Sequence, residues 1–470
     1  MNNLNSEKRR IISVLVSICI VFTGLIGYMS YFQVFSSEKI KSNSYNKRLW
    51  INEESILRGS VLDRNGRILV YSEKHDDVMK RYYKYGRLYS HIIGYSYREY
   101  GKAGLELSFN NQLLNINENS AIDELINIVA PTTIGNNLEL TIDHGTQEKA
   151  RTLLKGKKGA IVAMNPKTGE IYAMVSLPDF DASNLRDDWS TISEDSNSPL
   201  LNRATQGLYT PGSIFKIIST SAILNSADID KEYDCEGTAN IDGYIFKDYQ
   251  SKAHGHLDLK EALAKSCNTY FTTKSINVGD DALGIAAKAF MFNSKIPFDL
   301  PVNISSYPTN NLGETDLAAS AIGQGKVVAT PLNMALVASS IANNGEMVKP
   351  ILVKNLLSSN GKILKTYNTD TLSRSTSSLN AEEIKEMMIE VVKSGTGTNA
   401  SIKNIQVAGK TGTAENPSGN SHAWFIGFAP ASDPKIAIAV VLEEEGSTGG
   451  SSAAPIARDL IIYALNNIKF

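Results

Sequence analysis

Tyr209-Thr210-Pro211-Gly212-Ser213-Ile214-Phe215-Lys216 is the stretch on which the reading turns. Its Pro-Gly pair makes a sharp turn that delivers Ser213 to the first turn of a helix, with Lys216 one turn on. A helix rises about 1.5 Å per residue, so positions i and i+3 share a face and the Ser213 hydroxyl can touch the Lys216 amine. A serine hydroxyl is a poor nucleophile until a base takes its proton. Lysine can be that base only if its pKa falls from about 10.4, through burial or a neighbouring cation. The helix N-terminus adds positive potential where an oxyanion would form. Alone the pattern is common, because any serine at a helix start with a lysine on a solvated face satisfies it.

Downstream segments change its meaning. Ser266-Cys267-Asn268 lies in a helical pattern over residues 258–274, and Lys410-Thr411-Gly412-Thr413 lies in an expected strand over residues 407–414. Each is weak by itself, and Lys167-Thr168-Gly169, ahead of the serine, is a decoy. In this order, each on the element its role needs, the three form a strong signal. Around them, apolar runs at 159–164, 170–175, 423–429 and 435–442 read as buried strands, and residues 138–143 alternate as another. Residues 146–154 and 453–467 read as helices, the latter after a Gly/Ser loop at 446–452. The uncharged run 217–225 reads as a central helix buried on all sides. Thr330 is an expected N-cap with Pro331 at the first helical position. Residues 179–200, rich in Asp, Ser and Asn, read as loop.

The N-terminal side carries no comparable chemistry. Residues 11–35 are almost uncharged, long enough for a bilayer core that takes about 20 apolar residues, and no A-x-A cleavage site follows. An uncleaved anchor is expected. Lys8, Arg9 and Arg10 precede it, and Lys39, Lys41, Lys47 and Arg48 follow, so the charge count for orientation is nearly balanced. Residues 36–55 read as a polar stalk, and Asp63 with Asn65-Gly66 marks a tight hairpin turn. Residues 71–125 show no chemical constellation and read as a folded pedestal. The chain of 470 residues has room for two or three domains, and its net charge of -2 gives no support to a nucleic-acid partner. Three cysteines are too few for a disulfide framework, and no C-x-x-C or His/Cys metal spacing is present. Cys19, Cys235 and Cys267 are read as free thiols, with Cys235 in a polar loop-like stretch and Cys267 packed as a small apolar side chain. No metal and no cofactor is expected.

These segments resemble the motifs of the penicillin-binding proteins and serine β-lactamases, most of all the class B penicillin-binding proteins, the monofunctional peptidoglycan transpeptidases. Arg58-Gly59 with Asp63-Arg64-Asn65-Gly66, Gly104-Leu105-Glu106 and His254-Gly255 fit the same family. So do Gly323-Gln324-Gly325 with Thr330-Pro331-Leu332, and Ala423-Trp424-Phe425 with Gly427-Phe428. The resemblance runs from the anchor to the last helix. It implies an α+β fold: an antiparallel sheet flanked by helices, an all-α subdomain, a smaller N-terminal pedestal and one transmembrane helix. The implied division is a cytoplasmic tail (1–10), an anchor (11–35), a pedestal of the dimerisation type (36–136) and a transpeptidase domain (137–470) outside the membrane.

The resemblance also implies roles. Ser213 attacks the penultimate D-Ala carbonyl of a stem peptide, and Lys216 accepts its proton. Lys410 is a second cation that helps depress Lys216. Ser266 relays a proton to the leaving D-Ala, and Asn268 hydrogen-bonds Lys216 or the substrate amide. Lys410, Thr411 and Thr413 hold the terminal carboxylate, and Gly412 clears the strand edge for an extended substrate. The backbone N–H groups of Ser213 and Thr413 form the oxyanion hole. β-Lactams are implied covalent inhibitors, and a polytopic membrane glycosyltransferase is the implied partner. A D,D-carboxypeptidase shares the acyl-enzyme and stays open. A serine β-lactamase needs a deacylating base, and no E-x-x-L-N pattern lies between Ser266 and Lys410. A β-lactam sensor would need a large signalling part before the span, and an inactive scaffold would not need all three motifs.

Overall fold

In the computed structural model, the described residues are 2–35, 56–76, 78–116, 134–226, 228–309, 311–416 and 419–470. The expected stalk at 36–55 falls outside them, as does part of the expected pedestal.

The catalytic part is organised on a five-stranded antiparallel sheet. Its order is Ala408–Ala414, His422–Ala429, Ile436–Leu442, Gly159–Met164, Ile171–Leu177. The strands are buried on both faces, which is why they read as unbroken apolar runs rather than alternating ones. Side chains alternate between two cores. Ile161, Phe425, Ile438 and Val440 meet the closing helix Gly449–Asn467, while Val162, Trp424, Ile426 and Val441 meet the helical body of the domain. That body includes Pro331–Ala342, buried along its whole length, with Thr330 capping Asn333 N as its sequence foretells. The Lys410 strand is the sheet's edge, and its outer side faces the all-helical part across a groove.

A second, six-stranded sheet forms the pedestal, with Ile68–His75 and Val78–Tyr83 at one end. Val61–Leu62 pairs antiparallel with Ile68–His75 around the Asn65-Gly66 turn and parallel with Asn137–Leu140. The remaining two strands, Val353–Leu357 and Ile363–Thr366, come from late in the chain. The pedestal sheet is thus completed by the catalytic segment and is not an independent bead on the chain. At the N-terminus, Asn2–Phe35 is one helix, and its Arg10–Phe32 part, with mean hydropathy 2.4, is long and apolar enough to cross a membrane.

Three local readings change. Residues expected to form a loop contain the helix Leu185–Glu194, whose Trp189 stacks on Tyr100 at 4.3 Å. Its polar composition hides Leu185, Trp189 and Ile192 at helical spacing, and Asp187 and Asp188 in its first turn suit the helix dipole. The single helical pattern at 258–274 is two helices, Leu259–Lys265 and Asn268–Val278, broken where Ser266 adopts φ +58°. The closing helix begins at Gly449, inside the expected Gly/Ser loop, because the Thr448 hydroxyl caps Ser451 N.

Candidate active site

The nucleophile turn is held by close backbone approach. Gly212, at φ +56°, donates its N–H to Gly323 O (2.9 Å), and a Cβ on Gly323 would stand 2.3 Å from Gly212 O. Trp424 Nε1 donates to Thr210 O (3.0 Å) from the sheet side. A short 3-10 turn, Gly212–Phe215, then feeds the helix Lys216–Asn225, buried from Lys216 through Ile223 as expected. Ser213 is half-buried at this junction. Among the described residues its hydroxyl has no hydrogen-bond partner, so the expected contact with Lys216 is not made in this state; such bonds commonly tighten only when substrate is bound.

Lys216 reaches instead across to the Ser266 turn. Its Nζ donates to Ser266 O (2.7 Å), to Asn268 Oδ1 (2.7 Å) and, more weakly, to Ser266 Oγ at 3.4 Å. Lys410 Nζ donates to the same Ser266 Oγ (2.8 Å) and to Thr411 O (3.0 Å). One hydroxyl therefore stands between two ammonium groups that come from opposite walls of the groove. Ser266 achieves this because its left-handed backbone ends one helix and turns its carbonyl and hydroxyl toward the lysines.

Both lysines are fully buried and neither forms an ion pair with a carboxylate among the described residues. Burial lowers Lys216 to about 8, against a smaller upward pull from Cys267 and Asp248. Burial also pushes Lys410 well down, and the charge on Lys216 pushes it further. Burial is thus the leading cause for both lysines, and the repulsion between their ammonium groups belongs to the pair.

The edge strand presents its motif on two faces. Lys410 and Gly412 point toward the nucleophile turn. A Cβ on Gly412 would meet Pro211 O at 2.8 Å and Ile214 Cγ2 at 3.1 Å. Glycine is required there to seat the nucleophile turn on the sheet. The side chains of Thr411 and Thr413 turn the other way. Thr411 Oγ1 pairs with Thr396 Oγ1 (2.6 Å), and Thr413 Oγ1 accepts from Gly449 N (3.3 Å) at the start of the closing helix. Thr411 O accepts from Lys410, and a Cβ on Gly212 would stand 2.8 Å from Thr413 O. Both residues therefore turn their backbone N–H and C=O off the sheet edge into the groove, since these groups share a side in an antiparallel strand.

Sequence reasoning missed a second cluster directly beneath the Ser266 turn. Cys235 ends the strand Tyr233–Cys235, which pairs with Gly255–Leu257, so Cys235 lies opposite Gly255 and beside His254. Cys235 is buried, not in a loop. Cys235 Sγ is 3.3 Å from His254 Nδ1, 3.2 Å from Asp248 Oδ2 and 3.6 Å from Cys267 Sγ. Asp248 Oδ1 also accepts from Asn268 N, and its Oδ2 accepts from Thr269 Oγ1 (2.7 Å). Burial pushes the Cys267 thiol up to about 12, which fits its expected inertness as a free thiol. The four side chains are the described residues that could hold a metal. No short spacing announces them; only the strand pairing brings Cys235 to His254.

Comparison with known proteins agrees with this geometry. Residues 159–462 match the family described as the penicillin binding protein transpeptidase domain, and residues 58–137 match the penicillin binding protein A dimerisation domain. The chain is 32% identical to peptidoglycan D,D-transpeptidase PbpA of Mycolicibacterium smegmatis, over 98% of this chain and 99% of that protein. It is also 32% identical to peptidoglycan D,D-transpeptidase MrdA of Acinetobacter baumannii, over 82% of this chain and 66% of that one. The solved structure of penicillin-binding protein A from M. tuberculosis, as a ceftriaxone acyl-enzyme complex, superposes with a TM-score of 0.82 at 31% identity, covering 88% of this chain and 100% of that chain. The chain belongs to the class B penicillin-binding proteins, with a dimerisation domain preceding a transpeptidase domain.

Proposed function

We propose that this protein is a peptidoglycan D,D-transpeptidase that works through a Ser213 acyl-enzyme. The observation that carries the reading is the Ser266 hydroxyl placed between the Lys216 and Lys410 ammonium groups, beside the nucleophile turn. Neutral Lys216 takes the Ser213 proton as Oγ attacks the penultimate D-Ala carbonyl. The N–H groups of Ser213, in the first turn of its helix, and of Thr413, turned off the sheet edge, receive the oxyanion. The C–N bond breaks, and the departing D-Ala amine takes its proton through Ser266. An amine from a neighbouring stem peptide then attacks the ester, returns a proton to the lysines and frees Ser213 with a cross-link formed. A β-lactam enters the same way, but its opened ring stays tethered, so the acceptor finds no vacated site.

The electrostatics support this division of labour. The substrate's terminal carboxylate, docked beside Lys410, supplies the counter-charge that site lacks and restores the Lys410 proton. Lys216 is left as the group that gives up its charge. Asn268 and the Ser266 carbonyl keep the Lys216 amine oriented. The start of the closing helix at Gly449, bonded to Thr413, adds favourable potential for the same carboxylate.

In this reading residues 1–10 are cytoplasmic, 11–35 span the membrane, 36–136 form the pedestal and 137–470 the catalytic domain outside. The chemistry sets the orientation, because the cross-linked substrate lies beyond the membrane. Strand synthesis falls to a partner, a polytopic membrane glycosyltransferase. The decisive experiment is mass spectrometry of the intact protein after penicillin, with the modified peptide mapped. One adduct on the peptide bearing Ser213, absent in Ser213→Ala, is expected; an adduct elsewhere, or one that persists in that variant, ends the assignment. Supplying a donor pentapeptide with an acceptor amine separates cross-linking from the water-only release of a carboxypeptidase.

A further inference from the structure

Tyr209 opens the nucleophile turn, and its buried side chain is fastened to one end of the catalytic sheet. Ala414 pairs with His422 and Ala423 with Leu442, so Glu443 follows in the same row, beside His422. Tyr209 lies across this row. Its ring stands at 82° to His422 and at 73° to Trp424, with centroids 5.3 Å and 6.1 Å away, and its hydroxyl donates to Glu443 Oε2 (3.3 Å). A Cβ on Gly207 would stand 2.5 Å from Tyr209 Cε2, so the chain leaves room for this ring and little else. The same Glu443 Oε2 accepts from Arg203 Nε (2.8 Å), and Glu443 Oε1 lies 3.0 Å from Lys158 Nζ. Buried Arg203 also donates to Ser198 O (3.0 Å) and Asn197 O (2.6 Å), tying down the segment that leads to Tyr209. Burial pushes the Glu443 carboxyl up, but Arg203 and Lys158 outweigh it and hold it below its ordinary range. Ring packing alone would be met by phenylalanine; the hydroxyl adds a bond to a carboxylate already held by two cations.

The placement of that bond gives it a consequence. The proposed oxyanion hole joins the N–H groups of Ser213 and Thr413, which belong to different elements. Ser213 follows Tyr209 along one chain segment, and Thr413 precedes Ala414, which begins the row that Tyr209 crosses. On its other side the Tyr209 backbone is paired with Ala329, N to O at 3.0 Å and O to N at 2.8 Å. The nucleophile turn can therefore shift along the edge strand only if Tyr209 shifts over the sheet end. We propose that Tyr209 and Glu443 are positioning residues for acylation: their hydroxyl–carboxylate bond sets the register of the nucleophile turn against the edge strand, and so the spacing of the two N–H groups that receive the oxyanion. Among the described residues neither side chain bonds Ser213, Lys216, Ser266 or Lys410, so both act through the backbone they hold. The role rests on the proposed Ser213 acyl-enzyme.

The test uses the full chain in detergent and a series of penicillin concentrations, which separates the acylation rate constant from the initial binding constant. Tyr209→Phe keeps the ring and removes only the hydroxyl. Its acylation constant should fall about tenfold, since misplacement well under an ångström is costly where donors must meet a developing charge. Its binding constant should be that of wild type. Its denaturation temperature should stay near wild type, because Glu443 keeps Arg203 and Lys158. The pH at which acylation levels off should not move, because Lys216 is untouched. In a Glu443→Ala background the same change should add less than about twofold, the mark of a hydroxyl that acts through that carboxylate. Should Glu443→Ala fail to fold, Tyr209→Phe alone decides. A wild-type acylation constant in Tyr209→Phe overturns the proposal, as does a lowered denaturation temperature with acylation of the folded protein unchanged. Weaker binding with an unchanged acylation constant overturns it too, as does a full tenfold addition in Glu443→Ala. Wild-type protein that gains no penicillin adduct on Ser213 strikes the acyl-enzyme reading and this inference with it, whereas an adduct formed equally fast in Tyr209→Phe strikes this inference alone.

Discussion

The molecule buries charge in two places and treats it in opposite ways. In the pedestal, the fully buried Glu106 carboxylate accepts from Arg58 Nε (2.5 Å) and Arg81 Nε (2.8 Å), and Arg58 also donates to Glu106 O and Asn110 Oδ1. Burial pushes Glu106 up, but the two guanidinium groups outweigh it and hold the carboxyl below its ordinary range. In the groove, Lys216 and Lys410 are equally buried, yet their hydrogen-bond acceptors are neutral oxygens. Both lysines are lowered as a result. Opposite charge makes a fixed joint, while neutral partners make a proton that can be moved. The first arrangement suits a pedestal, and the second suits the base of the proposed reaction.

Two substitutions test that contrast from opposite sides. Glu106→Gln should leave two buried guanidinium groups without a counter-charge and destabilise the protein by about 3–5 kcal/mol. Thermal denaturation would show it, while the penicillin acylation rate of the remaining folded protein should be near wild type. A collapse of acylation with unchanged stability would tie the pedestal network to the groove and erase the distinction. Lys410→Ala should do the reverse. Acylation by carboxylate-bearing penicillins should fall about 10²–10³-fold, the usual cost of losing one group that meets charge in the reaction. Stability should hold or rise, because a buried cation with only neutral partners is a cost to the fold. Unchanged acylation would remove Lys410 from the substrate site.

How far the sequence foretells all this depends on how local each signal is. Thr330-Pro331, the Asn65-Gly66 turn and the unbroken apolar strands carry their structure within a few residues, and each is found as read. The three motif segments are legible through order and chemistry, although nothing in their spacing states that Ser266 stands between two lysines. What escaped was set by long-range pairing. The packing of the nucleophile turn on Gly412 has no local signal in the sequence. The bonds of Thr411 to Thr396 and of Thr413 to Gly449 are set by elements remote in the chain. Cys235 and His254 look unrelated until their strands pair. Trp189 is hidden in a polar stretch because only its helical spacing, not its neighbours, marks the buried face.

The mildest test of the contrast is pH. A general base must be neutral to accept a proton, and Lys216, lowered by burial to about 8, is mostly protonated at pH 7. Acylation should therefore rise about tenfold per pH unit below 8 and level off above it. Stability should respond to the same group in a different window. A lysine whose folded pKa lies below its unfolded one binds fewer protons when folded across that interval, so the fold gains stability as pH rises from about 8 toward the ordinary lysine range of 10.5. Below about 8 the cost of the buried charge is present in full. Glu106, held below its ordinary range, contributes stability that is lost only as pH falls through the acidic carboxylate range. Acylation rate and denaturation temperature, measured across the same buffers, should thus bend at different pH values. An acylation profile that is flat from pH 6 to 9 would mean that Lys216 is already neutral at pH 6 or takes no proton, and the tuning of the groove by burial would fail with it.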